Sequence, residues 1–196
     1  MRRALIEALR ALPASADELA ELDSRLGDGD LGITVSAGAI AAAEILEHPE
    51  GRSAGELLSG AARAFGSANP STFAALVQGA LTAAGRAWVG GDERGATLGV
   101  LDQAIASIKK RGKAELGDKT VLDALQASRD VLAAAARLDA GTLREMAAAA
   151  ERTTSDLRDS PSRRGRASWL QERSIGQLDP GSIAYVRFLQ ALADTA

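Results

Sequence analysis

The sequence predicts an all-α fold, and three observations lead to that prediction. Apolar residues make up 46% of the 196-residue chain but aromatic residues only 3%, so alanine and aliphatic side chains must form the core. Alanine has the highest helix propensity, whereas strands favour β-branched and aromatic residues. Apolar residues recur at helical spacing in about eight segments, and no segment keeps the alternation of a strand. We therefore predict a single domain over residues 1–196.

The first half of the chain predicts a broken N-terminal helix and three further helices. Residues 3–27 form two short helices or one helix interrupted near Pro13, because proline removes a backbone donor and clashes with the preceding turn. Asn69 is a capping residue followed by Pro70 at the first helical position, which is a typical helix start. The apolar spacing gives the bounds of the three helices, which are 33–48, 53–68 and 69–89.

The second half predicts four more helices and one long loop. The helices cover residues 97–112, 119–140, 141–159 and 179–196. Thr120 stands three positions before Asp123, a variant of the capping box, and Asp179 precedes a proline at the last helix start. Residues 160–178, "SPSRRGRASWLQERSIGQL", form what we call the arginine loop, after Arg163, Arg164, Arg166 and Arg173. A loop of this length inside a domain is typically functional or disordered, and its charge indicates an anionic ligand.

Charge and composition exclude several classes of protein. The net charge of −3 offers no electrostatic surface for nucleic acid or an anionic membrane. The absence of cysteine excludes disulfides, thiolate catalysis and zinc sites built on cysteine. No apolar run approaches the ~18–20 residues that a bilayer requires, and the N-terminus lacks the apolar segment of a signal peptide. We expect a cytoplasmic protein.

The stretch "LDSRLGDGDLG" places Asp23, Asp28 and Asp30 within eight positions, with only Arg25 among them to offset their charge. Oxygen ligands without histidine or cysteine select Mg²⁺, Ca²⁺ or Mn²⁺, and the spacing does not fit an EF-hand loop. An Asp-Gly turn with solvated carboxylates has the same pattern, so spacing alone leaves both interpretations open.

Four predicted helix starts carry glycine or proline beside polar residues. They are residues 32–34, 66–72, 117–120 and 178–182. Free N–H groups and the positive end of the helix dipole bind anions at such positions, although ordinary capping explains any one of them alone. Four together, with an acidic cluster and an arginine loop, favour a site for a metal and a nucleotide.

Three blocks of sequence resemble the L subunit, the nucleotide-binding subunit, of dihydroxyacetone kinase. They are "LDSRLGDGDLG", "RGKAELGDKTVLDAL" and "GRASWLQERSIGQLDPG", and the similarity covers nearly the whole chain. The resemblance implies a barrel of eight antiparallel helices that binds ADP or ATP at one end through two Mg²⁺ ions. The arginine loop would then act as a lid over the phosphates.

The resemblance also assigns roles by position. Asp23, Asp28 and Asp30 would hold the metal ions, and Arg166 would reach the phosphates as the catalytic side chain. The residues along the nucleotide would be Leu31, Gly32, Ile33 and Thr34 at the next helix start, Ala68 and Asn69 in a second phosphate loop, Gly117 and Gln126 beside the adenine, and Asp179, Pro180 and Gly181 in the wall.

Two positions depart from the family pattern. Leu31 stands where the family usually has histidine, and "GSANP" replaces a Gly-Gly-Thr/Ala-Ser-Gly loop. The three aspartates are intact, so we expect nucleotide binding to survive. The effect of the departures on turnover stays open.

The implied function is transfer of a phosphoryl group to dihydroxyacetone or a related short ketose, as in glycerol metabolism. In such enzymes a separate K subunit holds the sugar through a histidine, and the single histidine here, His48, matches no such motif. The donor is ATP or a phosphotransferase-system M subunit that recharges bound ADP, and a homodimer stays open. Two alternatives remain: a non-catalytic nucleotide-binding adaptor, and a kinase subunit for a different ketose.

Overall fold

The computed structural model describes residues 1–165, 167 and 172–196, and these residues form helices joined by loops, without a strand. The α-helices of the described residues are α1 Arg2–Ala11, α2 Ala16–Ser24, α3 Leu31–Glu47, α4 Ala54–Ala68, α5 Thr72–Arg86, α6 Glu93–Gly112, α7 Val121–Ala134, α8 Ala140–Asp156 and α9 Pro180–Thr195. The predicted all-α class is confirmed. None of these helices has the length and apolarity needed to cross a membrane.

Eight of the helices in the described part of the chain close into a ring. From α3 to α9, each helix packs against the next, and α1 packs against both α3 and α9. The short α2 lies outside the ring, against α3 and α9. This closed order confirms the predicted barrel of about eight helices.

Close approach of the helices explains the alanine-rich composition. A Cβ atom on Gly55 of α4 would lie 2.5 Å from the carbonyl oxygen of Gly85 on α5, so the two backbones touch. A Cβ on Gly38 of α3 would meet the ring of Phe65 at 2.6 Å. Several of the larger fully buried side chains are leucines, as at Leu122 and Leu132. Small residues therefore bring the helices together, and the core needs few aromatic residues.

Two of the expected helix starts were wrong in position. Helix α5 begins at Thr72, because Ser71 rather than Asn69 is the cap and its Oγ accepts the N–H of Ala74 at 3.1 Å. Helix α6 begins at Glu93, four residues before the predicted start, because Asp92 caps it. The break at Pro13 is confirmed as a 3₁₀ turn over Leu12–Ser15.

Alternate connections meet at one end of the barrel, which we call the acidic end. Arg25 Nη1 donates to Gln177 Oε1 at 3.4 Å, which joins the α2–α3 turn to the α8–α9 connection. Lys119 Nζ donates to the carbonyl of Ser160 at 2.8 Å, which joins the α6–α7 connection to the same segment. The described connections of the acidic end are residues 25–30, 69–71, 113–120, 157–165 and 172–179.

Candidate functional site

Asp23, Asp28 and Asp30 converge at the acidic end of the barrel. Each offers one carboxylate oxygen, and these three oxygens lie within 4.8 Å of one another. Asp23 and Asp30 are half-buried, and Asp28 is exposed. The Oδ2 atom of Asp23 is buried and accepts no hydrogen bond from the described residues. The turn gathers three carboxylate oxygens into one small volume, which is the arrangement that a hard cation requires.

The glycines of this turn permit close packing. A Cβ on Gly27 would lie 2.8 Å from Asp23 Oδ1, and a Cβ on Gly32 would lie 2.1 Å from the carbonyl oxygen of Ala16. Gly29 has a φ of +77°, which L side chains rarely adopt. The first turn of α3 therefore rests directly on the start of α2. This contact fixes Asp30 relative to Asp23.

The first turn of α3 presents its backbone beside the carboxylates. Asp30 is the N-cap residue, but its side chain makes no capping hydrogen bond to the helix. Leu31, Gly32 and Thr34 are buried, and Ile33 is 65% exposed. A ligand at this helix start would thus meet N–H groups and the positive end of the dipole rather than polar side chains.

The α4–α5 connection lies beside that helix start. Asn69 Nδ2 donates to Thr34 Oγ1 at 3.1 Å, and Ala68, the last residue of α4, is exposed. The departure at Asn69 noted in the sequence thus has a structural role, because its amide ties this connection to α3.

Gly117 and Gln126 lie on either side of the start of α7. The N–H of Gly117 donates to Asp123 Oδ1 at 2.6 Å, with a φ of +86°, and a Cβ there would meet open space. Gln126 is half-buried, and its Nε2 donates to Asp130 Oδ1 at 2.9 Å. The buried Asp123 carboxylate also accepts the N–H of Thr120 at 2.9 Å, so the predicted capping box is confirmed.

Asp179, Pro180 and Gly181 form the start of α9. Asp179 Oδ2 accepts the N–H and the Oγ–H of Ser182, both at 2.7 Å. Burial raises the pKa of Asp179 to about 6, although the hydrogen bonds from Ser182 act in the opposite direction. Pro180 is buried, and a Cβ on Gly181 would contact the Phe73 ring at 3.3 Å.

Of the other predicted residues, Arg166 lies outside the described residues. His48 is a surface residue, as expected, and its Nδ1 lies 3.8 Å from Glu50 Oε1.

The role of Lys119 was not predicted from the sequence. Residues 117–120 were expected to be a helix start that binds an anion or is an ordinary cap, and in the structure Thr120 is the residue that caps α7. Lys119 is 2% exposed, and its Nζ donates to three backbone carbonyls of the segment between α8 and α9. A charged residue directly before a capping box was the only signal in the sequence, and it does not reveal distant partners.

A sequence model of the DAK2 domain matches residues 25–194, which is most of the chain. The chain belongs to the DAK2 family. The resemblance to the dihydroxyacetone kinase L subunit is also confirmed by a curated relative: this DAK2 domain is 32% identical over 181 residues to the ADP-binding subunit DhaL of the PEP-dependent dihydroxyacetone kinase 2 of Listeria innocua. That match covers 85% of the chain and 80% of the relative.

Longer kinases are similar as well. The L-erythrulose 1-kinase of Mycolicibacterium smegmatis is 36% identical over 185 residues, which cover 90% of this chain and 32% of that protein. The L-erythrulose kinase of Pectobacterium atrosepticum is 35% identical, with the same 32% share. The DAK2 domain therefore spans about a third of the length of these two relatives.

A solved structure has the same fold. The dihydroxyacetone kinase of C. freundii, in complex with AMP-PNP and Mg²⁺, matches with a TM-score of 0.75 at 25% identity. The match covers 98% of this chain and 33% of that protein.

Proposed function

We propose that this DAK2 domain binds ADP or ATP with two Mg²⁺ ions at its acidic end and carries the nucleotide in a kinase that acts on a short ketose. The observation that carries the proposal is the convergence of Asp23, Asp28 and Asp30, whose carboxylate oxygens lie within 4.8 Å of one another. The similar C. freundii kinase, a complex with AMP-PNP and Mg²⁺, supports the same ligands here.

The residues fit a hard divalent cation. Three carboxylates repel one another, and the buried Asp23 Oδ2 has no hydrogen-bond partner among the described residues, which costs free energy in the absence of a positive charge. Carboxylate oxygens are the donors that Mg²⁺ prefers, and Mg²⁺ takes further ligands from substrate phosphates. Bound there, Mg²⁺ would neutralise charge on the transferring phosphoryl group.

The chain's own groups bind and orient the nucleotide. The N-terminus of α3 would place its N–H groups toward the phosphates, and the bond between Asn69 and Thr34 would hold the neighbouring connection in place. The open space over Gly117 leaves room for a flat base against the backbone. Arg166, by its position in the sequence, would approach the phosphates and stabilise the charge that develops during transfer.

The sugar would be held outside this domain. The described part of the chain presents no histidine near the acidic end, since His48 follows the far end of α3. We propose a K-type partner subunit, or another domain, that holds dihydroxyacetone or erythrulose, the substrates in the names of the relatives. The name PEP-dependent, carried by the L. innocua relative, supports a phosphotransferase-system M subunit as the donor that recharges ADP.

Titration calorimetry with ADP tests the site. We expect the parent protein to bind ADP in the presence of Mg²⁺, and we expect Asp30→Asn to abolish measurable binding because a ligand to the metal is lost. Asp194→Asn is the matched control, since Asp194 is an exposed aspartate in the last turn of α9, at the opposite end of the barrel. Unchanged affinity in Asp30→Asn would refute the proposal.

A further inference from the structure

Lys119 joins the two ends of the arginine loop. Its Nζ donates to the carbonyl oxygens of Arg158 at 2.7 Å and Ser160 at 2.8 Å, where the chain leaves α8. It also donates to the carbonyl of Ser174 at 2.8 Å, where the chain approaches α9. An ammonium group has three donors and no acceptor, so these three bonds use its whole capacity.

Further hydrogen bonds join the same two limbs, in what we call the loop base (residues 158–162 and 174–176). The N–H of Gly176 donates to the carbonyl of Arg158 at 3.0 Å, and Arg158 Nε donates to the carbonyl of Gly176 at 2.8 Å. The N–H of Ser162 donates to Ser174 Oγ at 2.8 Å. The loop base is therefore closed around the Lys119 ammonium.

Asp118 holds the first arginines of the loop. The N–H of Arg163 donates to the Asp118 carbonyl at 3.1 Å, and Arg164 Nε donates to Asp118 Oδ2 at 3.0 Å. The Asp118 side chain is 8% exposed. Its pKa is lowered, because the N–H of Glu115 and the charge of Arg164 together outweigh the opposing effect of burial. Asp118 and Lys119 thus fix the arginine loop to the α6–α7 connection.

The backbone at Lys119 is left-handed. Its φ is +61°, in a region that few non-glycine residues adopt. This conformation brings the side chain inward, where it is 2% exposed and burial lowers its pKa. Lys113, in the same connection, has a φ of 50° but an exposed side chain, so left-handed backbone alone does not bury a lysine.

We propose that Lys119 is a positioning residue that closes the base of the arginine loop and thereby holds Arg163 and Arg164 at the acidic end of the barrel. The proposal rests on the proposed function for the identity of the ligand. All three donors of the Lys119 ammonium bond to carbonyls of the loop base, so its effect on the nucleotide passes through the loop.

Limited trypsin digestion of the unliganded protein tests the closure itself. We expect Lys119→Met to increase the rate of cleavage after Arg163, Arg164 and Arg173 by about tenfold, because local opening frees the backbone around these exposed side chains to enter the protease. Lys113→Met is the matched control, and we expect parental rates. Mass spectrometry of the first fragments separates cleavage in the loop from cleavage elsewhere. Equal rates of loop cleavage in Lys119→Met and the parent would refute the proposal that Lys119 closes the loop base.

Nucleotide binding and turnover test the positioning role. For Lys119→Met we expect Mg²⁺–ADP affinity about tenfold weaker and slower phosphoryl transfer, at a temperature at which circular dichroism shows the variant folded. Ser174→Ala removes one bond of the loop base without touching the ammonium, so it provides a milder second variant if Lys119→Met does not fold. For Ser174→Ala we also expect faster cleavage of the loop and weaker Mg²⁺–ADP affinity.

The two experiments separate the two proposals. Increased loop cleavage with parental affinity and turnover would show that Lys119 closes the loop but does not position it for the nucleotide, which overturns this inference. If the parent itself binds no nucleotide, the proposed function fails, while the digestion result still decides whether Lys119 closes the loop.

Discussion

At the scale of single residues, the Asp179 carboxyl is subject to two opposing influences. It caps α9 through Ser182, which favours the ionised form, and its burial disfavours that form. Burial prevails and raises the pKa from an ordinary value of 3.8 to about 6. Between these two pH values the folded protein retains a proton that the unfolded chain has released, so the free energy of unfolding falls as pH rises through this window.

We therefore expect Asp179→Asn to gain stability relative to the parent as pH rises from 4 to 7, by about 2–3 kcal/mol at most. Asparagine can still cap the helix but carries no charge. Urea denaturation at a series of pH values measures the difference. Asp92→Asn is the control, because Asp92 caps α6 at an exposed position. Parallel pH profiles for Asp179→Asn and the parent would contradict this assignment.

The residues of the acidic cluster were predictable, whereas Lys119 was not. Asp23, Asp28 and Asp30 are neighbours in sequence, so the chain brings them together in a single turn. The carbonyl partners of Lys119 are 39, 41 and 55 positions away. Only the packing of α7 against α8, and of α8 against α9, brings them near. The sequence pattern within one segment does not predict contacts between residues so far apart in the chain.

At the scale of elements, N-cap residues predicted the helix starts well where the sequence offered a single candidate cap. Thr120 with Asp123, and Asp179 with Pro180, begin α7 and α9 as expected. The start of α5 was wrong because two capping residues, Asn69 and Ser71, stand on either side of a proline. The side-chain amide of Asn69 instead donates a hydrogen bond to Thr34 of α3. The sequence around Asn69 does not reveal this contact with another helix.

The contact between α2 and α3 gives a prediction at this scale. A methyl group on Gly32 would lie 2.1 Å from the Ala16 carbonyl oxygen, so Gly32→Ala must push the two helices apart. We expect a loss of about 1–3 kcal/mol in stability and weaker binding of Mg²⁺–ADP, because Asp30 moves away from Asp23. Thermal unfolding and calorimetry measure both effects.

Gly99→Ala is the matched control for that prediction. Gly99 is exposed within α6, and a methyl group there meets nothing within 4 Å. We expect it to stabilise the protein by up to about 1 kcal/mol, since alanine has the higher helix propensity. If Gly32→Ala behaves like Gly99→Ala, the close contact between α2 and α3 does not determine the geometry of the site.

At the scale of the whole molecule, composition and apolar periodicity were enough to predict the all-α fold class but not the closure of the helices into a ring. Alanine content and apolar spacing indicated helices, whereas their antiparallel arrangement in a barrel was implied by the family resemblance. Nothing in the local pattern indicates that α9 packs on α1, and that expectation came from the resemblance alone. Closure of the ring depends on contacts between residues almost a full chain length apart, such as Thr195 Oγ1 donating to the Ala4 carbonyl at 3.0 Å.

Reconstitution tests the activity of the whole molecule. We expect a mixture of this protein, a K subunit of dihydroxyacetone kinase, a phosphoryl donor and dihydroxyacetone or erythrulose to form sugar phosphate only with Mg²⁺. The donors to compare are ATP and a phosphorylated M subunit. Asp30→Asn should form no product. A stable complex with nucleotide that forms no product with any donor would instead identify a binding adaptor.

The closed ring has a consequence for how a module that held the proposed sugar would reach the acidic end. Both chain termini lie at the end of the barrel away from the carboxylates, because the Met1 amino group pairs with Glu93 at the start of α6, and Thr195 bonds to Ala4. The 16 residues of α9 span about 24 Å between the two ends. A sugar-holding module joined through either terminus would have to cross that length, at least about seven extended residues, to reach the carboxylates.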